Sequence, residues 1–97
     1  MSWVLHIAVR ALPDFGTLSF EEQGHLVVRL IELCGKAQPD REDDVFTLPE
    51  SYIGKWALYV PGLGRAGSPD AFVVYFDLLV NDETLIVRGL AKYPSSR

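Results

Sequence analysis

The chain has 97 residues, 48% of them hydrophobic and 23% charged, with a net charge of −4 and a single cysteine. That length holds one domain with its own core, residues 1–97, and not two. The composition is that of a folded domain rather than a disordered chain, and no stretch approaches the roughly 18 consecutive apolar residues of a membrane span.

Cys34 alone permits no internal disulfide, which agrees with a reducing, cytoplasmic setting. The charge is unevenly placed: residues 1–50 carry four Lys/Arg against nine Asp/Glu, and residues 51–97 carry five against four. Phosphate neutralisation by Lys and Arg supplies most non-specific affinity for nucleic acid. The acidic total argues against such a partner, and the locally basic C-terminal half weakens that argument.

Trp3, Leu5, Ile7 and Val9 alternate with Val4, His6 and Ala8, the period of a half-buried strand. His6 and the lack of a basic leader make this a first strand rather than a signal peptide. Pro13, within Leu12-Pro-Asp-Phe15, suits the first turn of a short helix. Ser19-Phe-Glu-Glu22 then has capping-box spacing, so the main helix runs forward from Ser19. Leu26, Val27, Leu30, Ile31 and Cys34 follow at helical spacing. Gly35 suits the left-handed residue that ends such a helix.

Residues 36–51 are polar and read as a surface loop, in which Val45, Phe46 and Leu48 either tack the loop down or form a short edge strand. Alternation returns from Lys55 to Val60 and gives another strand. Pro61 to Pro69 is rich in Gly and Pro and reads as a mobile loop. The central feature is a hairpin: residues 70–80, the turn Asn81-Asp-Glu83, and residues 84–92. Phe72, Val74, Phe76, Leu78 and Val80 make one wholly apolar face. Ala71, Val73, Tyr75, Asp77 and Leu79 make a mostly apolar second one, so this strand is expected to be covered on both sides. The predicted fold is α+β: an N-terminal strand and two helices, short then long, packed on one face of a mostly antiparallel sheet of about four strands.

Gly62-Leu-Gly-Arg-Ala-Gly67 matches the dinucleotide motif GxGxxG to the letter. That motif must open a helix within a parallel βαβ unit, whereas here a strand pattern comes next, so the glycines read as hairpin-loop residues. His6, His25 and Cys34 lie at no recognisable zinc spacing. Asp40 to Asp44 lacks the glycine and spaced carboxylates of a calcium loop, and reads as a solvated run.

The basic and aromatic set Lys55, Tyr59, Arg65, Arg88, Lys92, Tyr93 and Arg97 is more informative, because no acid falls between Thr84 and Arg97. Metal-free RNA cleavage needs a base for a 2′-hydroxyl, cations for the phosphorane charge and an acid for the leaving oxygen. Lysine, arginine and tyrosine can share those roles. They are equally accounted for as solvent-side strand residues and a frayed tail.

The element order, the length, and Ala71-Phe-Val-Val-Tyr-Phe76 followed by Glu83-Thr-Leu-Ile-Val-Arg-Gly-Leu-Ala-Lys92 resemble the RelE/ParE superfamily of bacterial type II toxins. Ala11-Leu-Pro-Asp-Phe15 and Leu18 to Leu33, with Gln23, are similar to the paired helices of that family. The resemblance implies a growth-arresting protein neutralised by an antitoxin encoded alongside. RelE-like members cut mRNA in the ribosomal A site without a metal, and ParE-like members poison gyrase. It also implies no cofactor.

Lys55 takes the place of a basic residue on the family's second strand, Lys92 that of one after the last strand, and Tyr93 that of a terminal acid/base residue. The expected catalytic group is Lys92, Tyr93 and Arg88, with Lys92 and Tyr93 sharing proton transfer, and Lys55 and Arg65 are expected to hold RNA phosphates. Two features depart from the pattern: Phe72 stands where RelE-like toxins place an arginine, and the net charge is acidic. A gyrase-directed toxin and a non-catalytic module that holds a protein partner are the other two readings.

Overall fold

The computed structural model describes residues 2–49 and 53–94. Its centre is the expected hairpin, β4 (Ala71–Leu79) and β5 (Thr84–Tyr93). A 3-10 turn over Val80–Asp82 joins them, and Glu83 sits in the left-handed region at φ 49°. Val80 therefore does not extend the apolar face: the strand ends at Leu79 and Val80 is 71% exposed.

On one side of this pair lies β1 (Val4–Ile7), parallel to β5. On the other side lie β3 (Trp56–Pro61) and the three-residue β2 (Val45–Thr47). The sheet has five strands in the order β1-β5-β4-β3-β2, antiparallel except for the β1–β5 pair. The fifth strand is the Val45 segment, which forms the edge.

The helices are α1 (Leu12–Gly16) and α2 (Phe20–Cys34). Ser19 caps α2: its hydroxyl accepts the Glu22 N–H at 3.2 Å, and the Glu22 carboxylate accepts the Ser19 N–H at 2.9 Å. Gln23 clamps the two helices by donating to the carbonyls of Phe15 and Leu18. Gly35 is not left-handed as expected. It sits at φ −78°, ψ −9°, and its N–H closes the last turn by bonding the carbonyls of Ile31 and Glu32, so no reversal of φ is needed.

Phe15, Leu26, Leu30, Leu33 and Cys34 interlock with Leu58, Phe72, Val74, Phe76, Leu85 and Val87 in one core cluster. Each fully buried side chain of this kind contributes on the order of 1.5 to 3 kcal/mol. The other sheet face is not buried under a second layer, contrary to expectation. Ala57 and Ile86 are buried there, but Tyr59 is 42% and Leu79 37% exposed. Among the described residues no helix is long and apolar enough to cross a membrane.

An irregularity in β5 decides which way the end of that strand faces. Val87 pairs with Phe76 and Gly89 with Tyr75, so Arg88 is an extra residue, a β-bulge in β5. Before it, Leu85 and Val87 face the helices. After it, Leu90 and Lys92 do, opposite Val74 and Phe72.

Candidate functional site

Two clefts hold the candidate residues. The first lies on the open sheet face, has a volume of about 480 Å³, and is lined by Arg10, Leu48, Pro49, Lys55, Asp77 and Arg88 among others. Asp77 organises it. One of its oxygens accepts the backbone N–H of Lys55 at 2.8 Å and the other accepts Arg88 Nε at 3.0 Å. Among the described residues Arg88 is gripped only through Nε, which leaves without a partner there the two terminal nitrogens, the end that forks onto phosphates and carboxylates.

Lys55 Nζ lies 5.0 Å from the centroid of the Trp56 ring, a cation–π contact that leaves its N–H donors available. Arg10, in the 3-10 turn Val9–Ala11 that follows β1, is exposed and makes no ion pair among the described residues. Three cations thus meet one carboxylate in a protein whose net charge is −4. A cleft of one sign on a surface of the other focuses the field on an anion. Glycine shapes the cleft as well: Gly54 lines it, and a Cβ there would stand 2.9 Å from Phe76 N.

The second cleft is larger, about 920 Å³, and lies between the β3–β4 loop and the α1–α2 turn. Its lining includes Thr17, Glu22, Arg65, Asp70 and Lys92. Its cations are occupied: Arg65 is ion-paired to Glu21 at 2.7 Å, and Lys92 Nζ donates to Thr17 Oγ1 at 3.3 Å. Carboxylates in the wall, Glu22 and Asp70, offset what charge remains, whereas the lining of the smaller cleft keeps a positive balance. The GxGxxG run forms the rim. It joins two antiparallel strands rather than opening a helix, with Gly64 and Gly67 at φ 75° and 84°. Gly62 is required because a Cβ would fall 2.0 Å from the Pro69 carbonyl oxygen.

The structure therefore divides the predicted set. Lys55 and Arg88 come together, Arg65 and Lys92 line the other cleft, and Tyr93 stands 53% exposed on the open face opposite Ala71. Five residues separate Tyr93 from Arg88 along β5, on the order of 15 Å. Phe72 is fully buried against the helices and contributes nothing to the open face. Arg97 lies outside the described residues.

Arg10 and Asp77 were missed by the reading of the sequence. Asp77 left a signal, an acid in an otherwise apolar run, whereas Arg10 left none. Cys34 is buried, and desolvation pushes its thiol up, so it stays protonated and unreactive. His25 Nε2 lies 2.8 Å from the Pro61 carbonyl oxygen, and among the described residues no group of three His, Cys, Asp or Glu side chains is placed to hold a metal.

A capped helical hairpin on a five-stranded, mostly antiparallel sheet makes an α+β fold, and solved structures show it to be RelE-like. No family model and no curated protein matches the chain. Among solved structures it is similar to a double arginine-to-alanine mutant of the E. coli toxin RelE in the free state, at 16% identity and a TM-score of 0.66, covering 95% of this chain and 84% of that one. The isolated E. coli RelE toxin gives 16% identity and 0.65 over 99% and 89%. A chain of the intact E. coli RelBE toxin–antitoxin complex gives 16% and 0.52 over 97% and 100%. At that identity the likeness is one of fold.

Proposed function

We propose that this chain is a RelE-like toxin of a toxin–antitoxin pair, cytoplasmic and held in check by a cognate antitoxin, and that it acts on mRNA at the ribosome through the cleft of Arg10, Lys55 and Arg88. The observation that carries the reading is the convergence of three incompletely paired cations on the open face of a RelE-like sheet. Phosphodiester cleavage without a metal draws most of its stabilisation from cations aimed at the developing phosphorane charge. In this reading Arg88 supplies that charge through the end of its guanidinium, and Lys55 and Arg10 hold the flanking phosphates. Lys92 and Tyr93 are too far along β5 to share a proton with a group held there, so in this reading proton transfer falls to Lys55 or to a group that the ribosome or the RNA supplies.

The test is tightly controlled induction in a bacterial host without antitoxin. The native chain is compared with an Arg10→Ala, Lys55→Ala, Arg88→Ala variant matched for soluble expression, followed by mapping of mRNA 5′ ends. Arrest with new in-frame 5′ ends from the native chain alone is expected. Unimpaired growth with abundant folded native protein would overturn the reading.

A second reading, a non-catalytic protein-binding module, is favoured by one observation: the open face away from the cleft carries exposed Phe46, Tyr59 and Tyr93 around buried Ala57 and Ala71. Steep loss of binding with rising salt marks the RNA reading, and weak salt dependence marks the protein-binding one.

A further inference from the structure

The open-face cleft takes one arginine from the turn after β1 and another from the bulge in β5, and regular structure fixes neither of them. Arg10 sits in the 3-10 turn Val9–Ala11 and is exposed. Arg88 is the residue that the β4–β5 ladder leaves over, and a bulge interrupts the ladder around it. The spacing of the two guanidinium groups therefore depends on what fastens these two segments to each other.

Two hydrogen bonds do so, and they bracket the pair. β1 ends at Ile7, opposite Val87, and the Ala8 N–H then donates to the Val87 carbonyl at 2.9 Å. Beyond that point β5 has no strand neighbour on this side. The chain that follows β1 takes the missing strand's place: an Asp14 carboxylate oxygen accepts the Leu90 N–H at 3.3 Å. Segments 8–14 and 87–90 are thus joined at both ends, with Arg10 inside the first and Arg88 inside the second.

Asp14 also stands against the bulge itself, because a Cβ built on Gly89 comes 3.9 Å from the same carboxylate oxygen. Asp14 and Leu90 are both half-buried, so loss of the carboxylate leaves a partly shielded N–H without its partner. As a charge, an acid this close to a cationic cleft lowers the attraction for an anion. Its geometric role and its electrostatic one therefore predict opposite effects of removing it.

We propose that Asp14 is a positioning residue of the open-face cleft: by tying the segment after β1 to β5 just past the bulge, it sets the spacing at which Arg10 and Arg88 reach one RNA chain together. The proposal rests on the RNA reading above, and Asp14 itself touches no RNA in it.

The test is binding of a fluorescently labelled single-stranded oligouridylate to the full chain at low salt, for the native sequence, Asp14→Ala and Asp14→Asn. The two variants lose the same charge, but the asparagine carbonyl oxygen can still accept the Leu90 N–H. Asp14→Ala is expected to weaken binding about fivefold or more, and Asp14→Asn to stay within about twofold of native. In a chain that already carries Arg88→Ala, Asp14→Ala is expected to cost nothing further, a result that general loss of structure does not give. Exchange of the Leu90 amide hydrogen should be slow in the native chain and in Asp14→Asn, and fast in Asp14→Ala.

If the native chain does not bind, the RNA reading falls and the proposal falls with it. If the native chain binds and Asp14→Ala binds as well or better, the proposal alone is overturned. Equal weakening by Asn and Ala, a cost that persists beside Arg88→Ala, or fast exchange of the Leu90 amide in the native chain would each overturn it too. Should Asp14→Ala not fold, Asp14→Glu takes its place: the charge stays and the oxygen moves out by one methylene, and native affinity in that variant would overturn the proposal.

Discussion

The open-face cleft and the loop cleft are both lined by cations, and they differ in how far those cations are already paired. Around Lys55 and Arg88 a single carboxylate, that of Asp77, holds both residues, and most of their N–H donors have no partner among the described residues. Around Arg65 and Lys92 each cation has its own partner, Glu21 and Thr17, and the wall adds Glu22 and Asp70. Counting basic residues does not find a phosphate site. What matters is how many donors the fold has already used.

The largest effect expected from breaking this comparison is on the glycine at the base of the loop cleft. Gly62→Val forces a Cβ onto the Pro69 carbonyl, 2.0 Å away in the present backbone. Overpacking against backbone costs about 3 kcal/mol or more, which thermal unfolding should show as a Tm lower by roughly 12 °C or more. Gly54→Ala meets Phe76 N at 2.9 Å and should cost about 1 to 3 kcal/mol, with loss of the open-face cleft's shape.

Next comes charge. Removing Arg10, Lys55 and Arg88 together should lower affinity for a single-stranded RNA on the order of a hundredfold at low salt. It should also flatten the dependence of log K on log salt by about 0.7 per lost phosphate contact. Circular dichroism should show the fold intact, because Arg10 and Lys55 are exposed.

Asp77→Asn separates positioning from charge. Loss of an acid should strengthen anion binding if charge alone mattered. Arg88 released from its anchor should instead weaken it several-fold, and stability should fall by about 1 kcal/mol with the charge-assisted bond.

The smallest effects belong to the loop cleft. Arg65→Ala removes an exposed ion pair and should change stability by no more than about 0.5 kcal/mol, with the RNA salt slope unchanged. If it lowers RNA affinity as much as Lys55→Ala does, the assignment of the two clefts is reversed.

The bulge explains why the predicted set did not assemble. Strict alternation puts Arg88, Leu90 and Lys92 on one face of a strand. The extra residue at Arg88 turns Leu90 and Lys92 to the helix side, where Leu90 packs on the core and Lys92 reaches Thr17. No pattern within β5 announces it, since Gly89 marks a bulge only when Ile53, from a distant loop, takes up the space of its missing side chain. The same holds for the expectation that β4 is covered on both faces. Val73, Tyr75 and Leu79 read as core residues, but the described residues form one helical layer, and the helices' own apolar faces commit it to the Phe72 side.

The sequence by itself determined the parts that are decided locally. The Ser19–Glu22 capping box, the proline at the start of α1 and the β4–β5 hairpin each depend on hydrogen bonds and side-chain spacing within a few residues, and each is present; of the expected apolar set of α2, Leu26, Leu30 and Cys34 are buried, whereas Ile31 is 58% exposed. Tertiary structure alone decided which cations share a cleft. Arg10, Lys55, Asp77 and Arg88 come from four separate segments, and their meeting depends on the parallel docking of β1 on β5 and the register of β3 on β4. The slip of one residue at the bulge adds a third condition. Those choices follow from how the whole core packs, and so cannot be read from any one stretch of the chain.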